Sequence, residues 1–310
     1  MNIMFMGTPD FAIPSLEALY EAGHNVTCVI TQPDKPKGRG HKMAHPPVYE
    51  CAERHGTPVY QPENLKKENF EHILREHNPE LIAVVAYGKI LPEYVLNFPK
   101  YGCINVHGSL LPKYRGAAPM QWCLINGEEK TGVTTMYMEK GLDTGDMLLK
   151  EEIDITDDDN YETIHDKLNV IGAKLLVDTV SALMAGTCTR IPQDDALSCY
   201  SPMIDKNTAR IDWSKSAESI KNLVRGLYPF PRAFTTLDGK QLKIEKALVD
   251  NNSSSAEPGT VTEVTKKSFT VACGEGTALV VTQVQLEGKK SMDVQSFLLG
   301  NALERGTVLI

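Results

Sequence analysis

Residues 2–31 read NIMFMGTPDFAIPSLEALYEAGHNVTCVIT, and the pattern of this stretch decides the fold. Its two ends, Asn2–Met6 and Asn25–Thr31, are short apolar runs typical of buried strands. Between them, Phe11–Ala22 carries apolar residues at helical spacing, and Gly23 follows as a helix stop signal. A strand, a helix and a second strand in this order predict a βαβ unit with parallel strands.

The same alternation continues along the first part of the chain. Asp159-x-x-Glu162 resembles a capping box, and it opens a long helical pattern that runs toward Gly186. We therefore predict that residues 1–186 form an α/β domain with a Rossmann-like, mostly parallel sheet. Further strands are predicted at Leu81–Tyr87, Cys103–His107, Val133–Met138 and Met147–Leu149.

A second domain follows a stretch without periodicity. Residues 187–207 contain prolines and polar residues and are predicted to be a linker. Residues 208–310 combine one amphipathic stretch, Ala217–Leu227, with several alternating runs separated by turn signals, which predicts a small OB-like β-barrel. The predicted strands are Ala233–Leu237, Leu242–Val249, Thr260–Val264, Ser268–Ala272 and Ala278–Gln285.

Composition and charge narrow the class of protein. The chain has 310 residues, of which 42% are apolar and 23% charged, and these values exclude a disordered, collagen-like or coiled-coil chain. The net charge is −8, but residues 208–310 carry 13 Lys and Arg against 11 Asp and Glu. A mildly basic second domain is thus joined to an acidic first one, and the basic part is the better candidate for a nucleic-acid partner.

The compartment is also predicted from simple counts. The seven cysteines include no C-x-x-C pair, so neither a disulfide framework nor a zinc site is indicated. The longest uninterrupted apolar run, Leu81–Tyr87, is far shorter than the ~20 residues of a membrane span, and residues 1–10 lack a cationic leader. We expect a cytoplasmic chain that has no membrane partner.

Two common kinds of site are not supported. Gly7-Thr8-Pro9 follows the first strand but lacks the later glycines of a dinucleotide-binding turn, and Pro9 removes an amide donor. The eight histidines show no metal-ligand spacing on a helix, since His41 and His45 lie in a Gly- and Pro-rich loop. We expect neither a nicotinamide cofactor nor a metal.

Two segments carry candidate chemistry. Asn105 and His107 lie two residues apart at the end of a predicted strand, so their side chains share a face in the crevice where open α/β sheets bind ligands. A histidine satisfied by a neighbouring backbone group is an equally common arrangement. Gly141–Asp146 is a glycine-flanked acidic loop, and it is either part of the site or a solvated turn.

Several motifs occur in order along the whole chain. In the first part they are FMGTPDF (5–11), TQPD (31–34), AYGKILP (86–92), NVHGSLLPKYRG (105–116) and GLDTGD (141–146), and in the second part RIDW (210–213) and PGT (258–260). Together they resemble the 10-formyltetrahydrofolate-dependent formyltransferase family, and the Gly-Arg-Gly sequence at 38–40 favours the branch that acts on tRNA.

The resemblance implies transfer of a formyl group from 10-formyltetrahydrofolate to the α-amino group of methionine on initiator tRNA. It implies that Asn105, His107 and Asp143 are the catalytic residues, with Asn105 at the formyl oxygen, His107 exchanging the amine proton and Asp143 orienting His107. The folate is expected to bind Gly141 and the segment formed by Ser109, Leu110, Leu111 and Pro112.

The tRNA is expected to bind a basic loop. Residues 35–42 contain four cationic residues in eight positions, and the family resemblance implies that Arg39, Lys37 and Lys42 contact the acceptor end. The barrel is expected to hold the acceptor arm through phosphate contacts, while its pairs Lys266-Lys267 and Lys289-Lys290 could equally serve solubility. We expect a monomer.

Other functions remain open at this point. Enzymes that formylate glycinamide ribonucleotide or sugar nucleotides share the N-x-H and D-T-G elements, and a formyltetrahydrofolate hydrolase uses water as the acceptor. A non-catalytic RNA-binding protein with this fold has no evident use for Asn105, His107 and Asp143 together.

Overall fold

The structure is a computed structural model that describes residues 1–37 and 42–310, with only the backbone of Lys37. Its packing forms two units. The first comprises Met1–Gly116, Lys130–Asp154 and His165–Ser201, and the second comprises Ala117–Glu129, Ile155–Ile164 and Pro202–Ile310.

Strands and helices are numbered along the chain. The strands are β1 (Asn2–Gly7), β2 (Asn25–Ile30), β3 (Lys35–Lys37), β4 (Lys42–Ala44), β5 (Val59–Tyr60), β6 (Leu81–Val85), β7 (Cys103–His107), β8 (Arg115–Gly116), β9 (Lys130–Tyr137), β10 (Met147–Asp154), β11 (Tyr200–Ser201), β12 (Phe234–Leu237), β13 (Lys240–Val249), β14 (Val261–Val264), β15 (Phe269–Ala272), β16 (Ala278–Leu286) and β17 (Met292–Asp293). The helices are α1 (Ile13–Glu21), α2 (Pro47–Arg54), α3 (Lys67–His77), α4 (Glu93–Leu96), α5 (Pro119–Ile125), α6 (Tyr161–Ala185), α7 (Ala217–Gly226) and α8 (Val294–Leu298).

The first unit is built on one twisted sheet with the strand order β10-β9-β7-β6-β1-β2-β5. The pairs from β7 to β5 are parallel, while β9 and β10 add an antiparallel edge. Residues 3–7 of β1 and all of β6 are buried, as expected of central strands covered on both faces. The predicted Rossmann-like, mostly parallel sheet is confirmed, and the carboxyl ends of its parallel strands share one edge.

The two predicted helices of this part begin differently from the expectation. A 3-10 turn, Asp10–Ala12, precedes α1. The α6 helix begins at Tyr161, and its capping pair is Asn160 with Thr163 rather than Asp159 with Glu162. The Thr163 N–H donates to Asn160 Oδ1 (3.1 Å), and the Asn160 N–H donates back to Thr163 Oγ1 (3.0 Å). The prediction was wrong by one residue because a threonine can replace Glu or Gln in this reciprocal cap.

Helix α6 is long and apolar enough to cross a bilayer by length and composition, although the uninterrupted apolar runs in the sequence gave no such signal. Its apolar face, with Leu168, Leu176 and Val180, is buried in the protein. Lys174 and Asp178 lie on its exposed side and pair at 3.2 Å. This pattern is that of an amphipathic core helix.

The second unit contains an antiparallel sheet with the order β12-β13-β16-β15-β14, to which β17 adds beside β16. The C-terminal residues close this sheet. Thr236 of β12 and Ile310 exchange both backbone hydrogen bonds, while the Leu309 N–H donates to Gly259 O and the Val261 N–H to Thr307 O, at the β14 edge. Pairing both edges with one segment removes the free edges of the sheet, so the predicted small β-barrel is confirmed. Its core includes Val281, Phe269 and Phe297, together with Ile220 and Val224 of α7.

The segment predicted to be a linker, residues 187–207, is divided between the units. Its first part packs on the first unit, where β11 pairs in parallel with β8 and Ile191 bridges Met147. Such two-residue strands carry no periodic pattern that the sequence could reveal. Packing places the division between Ser201 and Pro202, within the predicted linker.

Candidate functional site

Strand β7 places the two central candidates at the carboxyl edge of the sheet. His107 ends the strand and is 5% exposed, whereas Asn105 is half-buried and two residues earlier on the same face. The Nε2 atom of His107 lies 2.9 Å from the Tyr114 carbonyl oxygen. Because a carbonyl only accepts, Nε2 donates in this contact, and the Nδ1 atom of the neutral ring carries a lone pair.

Asp143 faces that Nδ1 atom. Its Oδ2 lies 3.8 Å from His107 Nδ1, too far for a hydrogen bond but close enough for an ion pair when the imidazole is protonated. The Gly116 N–H donates to the same Oδ2 at 2.9 Å. The structure therefore brings His107 and Asp143 together across the two motif loops.

The side chain of Asn105 has a different environment. Its backbone pairs with Val84 of β6 and Met136 of β9, so the residue is fixed in the middle of the sheet. Within residues 1–37 and 42–310, its amide group forms no side-chain hydrogen bond. A half-buried amide with free donors beside an imidazole can donate to a ligand oxygen.

The segment after His107 folds back on itself. Ser109 Oγ donates to Lys113 O (2.7 Å), and Thr134 Oγ1 donates to Ser109 O (2.7 Å) and accepts from the Leu111 N–H (3.2 Å). Lys150 Nζ donates to Leu111 O. The hydroxyl proton and the carbonyl of Ser109 thus take part in holding the loop.

The predicted folate contacts have unequal access to solvent. Leu111 is 1% exposed and packs in a small cluster with Met136 and Met147. Leu110 and Pro112 are half-buried, and Gly141 is exposed. Leu142 was not predicted, yet it is 53% exposed beside Gly141. An exposed apolar side chain in the acidic loop is a second candidate surface for a ring.

Sequence reasoning missed residues 190–201, which we name the bracing segment. Gln193 Nε2 donates to the carbonyl oxygens of Asp143 and Gly145, both at 2.8 Å. Ser201 Oγ donates to Arg115 O (2.9 Å) and lies 3.2 Å from Tyr114 O, the same carbonyl that His107 contacts. The segment has no motif or periodicity, so no signal in one sequence could have located it.

In the basic loop, β3 pairs antiparallel with β4. Next to this strand pair, Asp34 Oδ1 lies 2.9 Å from His45 Nδ1, and Gln61 Nε2 donates to the Asp34 carboxylate at 2.8 Å. The hydrogen bonds from Gln61 and His45 hold the pKa of Asp34 below its usual value. Lys42 is exposed at the start of β4. Arg39 and the side chain of Lys37 lie outside the described residues.

The barrel presents its lysine pairs at turns. Lys266 and Lys267 lie between β14 and β15, and Lys289 and Lys290 lie between β16 and β17. All four residues are exposed. Lysines in such positions attract phosphates through their summed electric field. This attraction requires no fixed geometry between one lysine and one phosphate.

One group of metal-ligand type occurs in the described chain, on α1 and α2 rather than at the strand edge. The ligand atoms of Glu17, Cys51 and His55 lie within 4.8 Å of one another. The Glu17 carboxylate already accepts from Cys51 Sγ (3.1 Å), His55 Nε2 (2.6 Å) and Arg54 Nη2 (3.4 Å). Burial raises the pKa of the Cys51 thiol to about 12. The cluster is satisfied as a hydrogen-bonded group.

Comparison with known proteins gives a consistent result. The family described as formyl transferase matches residues 1–180, and the formyl transferase C-terminal domain matches residues 203–302. A methionyl-tRNA formyltransferase of Clostridium novyi (strain NT) is 54% identical over 310 residues, covering 100% of both chains. Another, from Geobacter metallireducens, is 51% identical over 306 residues, covering 99% of this chain and 97% of the relative.

Solved structures support the fold. A sugar 3N-formyl transferase, crystallised with dTDP and 5-N-formyl-THF, has a TM-score of 0.69 at 17% identity and covers 94% of this chain and 99% of its own. Methionyl-tRNA formyltransferase from Clostridium thermocellum has a TM-score of 0.54 at 21% identity, with coverage of 81% and 95%. From these matches over the full length, the chain belongs to the formyl transferase family and, within it, to the methionyl-tRNA formyltransferases.

Proposed function

We propose that this protein transfers the formyl group of 10-formyltetrahydrofolate to the α-amino group of methionine on initiator methionyl-tRNA, producing N-formylmethionyl-tRNA for translation initiation. The observation that carries the proposal is the geometry of His107. Its Nε2–H is held by the Tyr114 carbonyl, and its Nδ1 faces the carboxylate of Asp143. We place the reaction in the cytoplasm, with the protein acting as a monomer and without a metal.

His107 supplies the proton exchange. The neutral amine attacks the formyl carbon, so that a C–N bond forms and the amine becomes cationic. Nδ1 of His107 accepts that proton through its lone pair, and the Asp143 carboxylate stabilises the resulting imidazolium. The proton then passes to the folate nitrogen as its bond to the formyl carbon breaks. The formyl group is transferred once and the proton twice, first from the amine to His107 and then from His107 to the folate nitrogen, so the enzyme returns to its initial state.

Asn105 stabilises the charge that develops on the formyl oxygen. Its amide cannot titrate, and its position on β7 is fixed by strand pairing on both sides. A donor that is held in place before the reaction lowers the barrier more than a mobile one, because no reorganisation is needed in the transition state.

The folate binds against the loops on either side of His107. Leu110 and Pro112 supply apolar contact with the folate ring, and Gly141 and Leu142 lie on the opposing loop. Ser109 and Leu111 support this folate-binding surface from inside the protein, since Ser109 is hydrogen-bonded within its loop and Leu111 is buried. These two residues shape the surface that the ring contacts.

The tRNA binds through positive charge. Lys37, Arg39 and Lys42 of the basic loop contact the acceptor end, and the barrel holds the acceptor arm through phosphate contacts. Support comes from the net positive charge of residues 208–310 and from the exposed lysines at the turns of the barrel.

The test is transfer of labelled formyl from 10-formyltetrahydrofolate to initiator methionyl-tRNA, elongator methionyl-tRNA and glycinamide ribonucleotide in parallel. Label on the initiator tRNA alone is the expected result. Label on glycinamide ribonucleotide would contradict the assigned acceptor. Free formate with no labelled acceptor would indicate a hydrolase.

A further inference from the structure

We infer that Gln193 is a positioning residue of the formyl-transfer site, which holds the Asp143 loop against the 108–116 segment and so sets the distance between Asp143 and His107. The inference rests on the proposed roles of those two residues. It assigns a contribution to turnover to the bracing segment, which contains none of the family motifs quoted above.

The side-chain amide of Gln193 forms hydrogen bonds with two separate loops of the site. Its Nε2 donates to Asp143 O and Gly145 O, each at 2.8 Å. Its Oε1 accepts from Arg115 Nε at 3.0 Å. The side chain is half-buried, whereas its neighbours Pro192 and Asp194 are exposed. One amide therefore joins the loop that carries Asp143 to the loop that carries Arg115.

The acidic loop needs such a support. Asp143 has a backbone φ of +53°, a left-handed conformation that non-glycine residues rarely adopt. Gly141, Leu142 and Thr144 around it are exposed, so side-chain packing contributes little to the shape of the loop. Two carbonyls fixed by the same amide nitrogen hold the peptide planes that join Asp143 to Thr144 and Gly145 to Asp146.

The opposite side of Gln193 is also fixed. Arg115 donates its backbone N–H to Cys199 O (2.9 Å), and its Nη2 lies 2.8 Å from Asp195 Oδ1. The next residue, Gly116, donates to the Asp143 carboxylate. Asp143 is thus held at its backbone by Gln193 and at its carboxylate by Gly116, and both contacts lead to the same two-residue strand, β8.

Loss of Gln193 removes only one of these two contacts. The carboxylate then moves relative to His107 Nδ1, while Asn105, His107 and the proposed folate contacts Leu110 and Pro112 stay in place. A displacement of about 1 Å at a reacting group can reduce turnover by about 10²-fold, so the effect falls on kcat rather than on KM.

Two variants separate positioning from folding. Gln193→Ala removes all three contacts. Gln193→Glu retains the size of the side chain and the acceptor for Arg115, but it replaces the donor to Asp143 and Gly145 by an oxygen. We expect both variants to lower kcat about 10- to 100-fold, with KM for folate and for tRNA within about twofold of the wild type.

Asp195→Asn is the matched control, since Asp195 is the other polar partner of Arg115 and its side chain is 84% exposed. We expect its kcat within about twofold of the wild type, and the midpoint of urea unfolding is measured for every variant. A folded Gln193→Glu variant with wild-type kcat would overturn the inference.

A double-mutant cycle with Asp143→Asn shows whether Gln193 acts through Asp143. We expect the double variant Gln193→Glu, Asp143→Asn to be no slower than Asp143→Asn alone, because residues acting as a unit are non-additive. If the double variant instead loses kcat by the product of the two single losses, the inference about Gln193 is contradicted, while the proposed role of Asp143 is not. Wild-type turnover of Asp143→Asn would contradict the proposed role of Asp143, and the inference with it.

Discussion

The sheet edge of the first unit and the barrel of the second are built on opposite principles. At the edge, a few polar groups are held at defined distances, such as 2.9 Å from His107 to the Tyr114 carbonyl and 3.8 Å to Asp143. The barrel combines a closed apolar core with lysines at exposed turns. Chemistry depends on the position of single atoms, whereas attraction to a polyanion depends on summed charge. The effects of substitutions in the two regions should therefore differ in magnitude and in the property that changes, which is turnover at the sheet edge and stability or tRNA affinity in the barrel.

The largest effect is expected at the sheet edge. Asn105→Ala and His107→Ala each should lower kcat about 10²- to 10³-fold, as for the loss of one transition-state donor. Single-turnover formyl transfer at saturating tRNA measures the effect, and circular dichroism checks folding. Val170→Ala is a suitable comparison, since it shortens an exposed apolar side chain on α6 of the first unit, outside the proposed site. Near-normal kcat in both site variants would refute the assignment.

A barrel substitution should act on stability instead. Val281 is fully buried in the core of the second unit, so Val281→Ala should lower the free energy of unfolding by roughly 1.5–3 kcal/mol. Urea denaturation measures this change. We expect kcat of the folded fraction to stay unchanged, and a lower kcat at full folding would show that the barrel core is coupled to the chemistry.

The salt dependence of tRNA affinity should locate the phosphate contacts. The slope of log K against log salt should fall by about 1 to 2 when Lys266→Ala and Lys267→Ala are combined, because each phosphate contact releases counterions. Filter binding from 50 to 200 mM salt is the assay. Lys66→Ala with Lys67→Ala is the matched control, as these exposed neighbours lie in the first unit. Equal slopes for the Lys266/Lys267 variant and the Lys66/Lys67 variant would show that the barrel lysines make no phosphate contacts of their own and serve solubility.

The smallest effect is expected at Asp34, next to the paired strands β3 and β4. The pKa of Asp34 is lowered in the folded protein, so its stabilising contribution is present above the ordinary carboxyl pKa of 3.8 and is lost as the pH falls through the folded pKa. The difference in unfolding free energy between the wild type and Asp34→Asn should shrink between pH 7 and pH 3. A difference independent of pH would contradict the lowered pKa of Asp34 and the stabilising hydrogen bonds from Gln61 and His45 to its carboxylate.

Much of the fold could be predicted because buried strands and amphipathic helices have regular patterns. The strand predicted at Cys103–His107 matches β7, and the stretch Ala217–Leu227 matches α7 within one residue. Asn105, His107 and Asp143 were identifiable because a motif fixes residue type and spacing together. Their roles stay predictions that the kinetic variants test.

The remainder depends on contacts between residues distant in sequence. Gln193 acts on Asp143 and Arg115, which lie 50 and 78 positions away, so no local pattern marks it. The C-terminal segment closes the barrel through backbone groups, whose hydrogen bonds carry little sequence preference. Helix α5 belongs to the second unit although it lies within the predicted first domain. Sequence position alone could not assign it.

The most direct test of the division of labour is the dissociation constant of initiator methionyl-tRNA for the His107→Ala variant, measured beside the wild type. We predict values within about twofold of each other, although turnover is reduced at least about 10²-fold. A loss of tRNA affinity that parallels the loss of turnover would contradict the account, because His107 would then contribute to binding rather than to the chemical step.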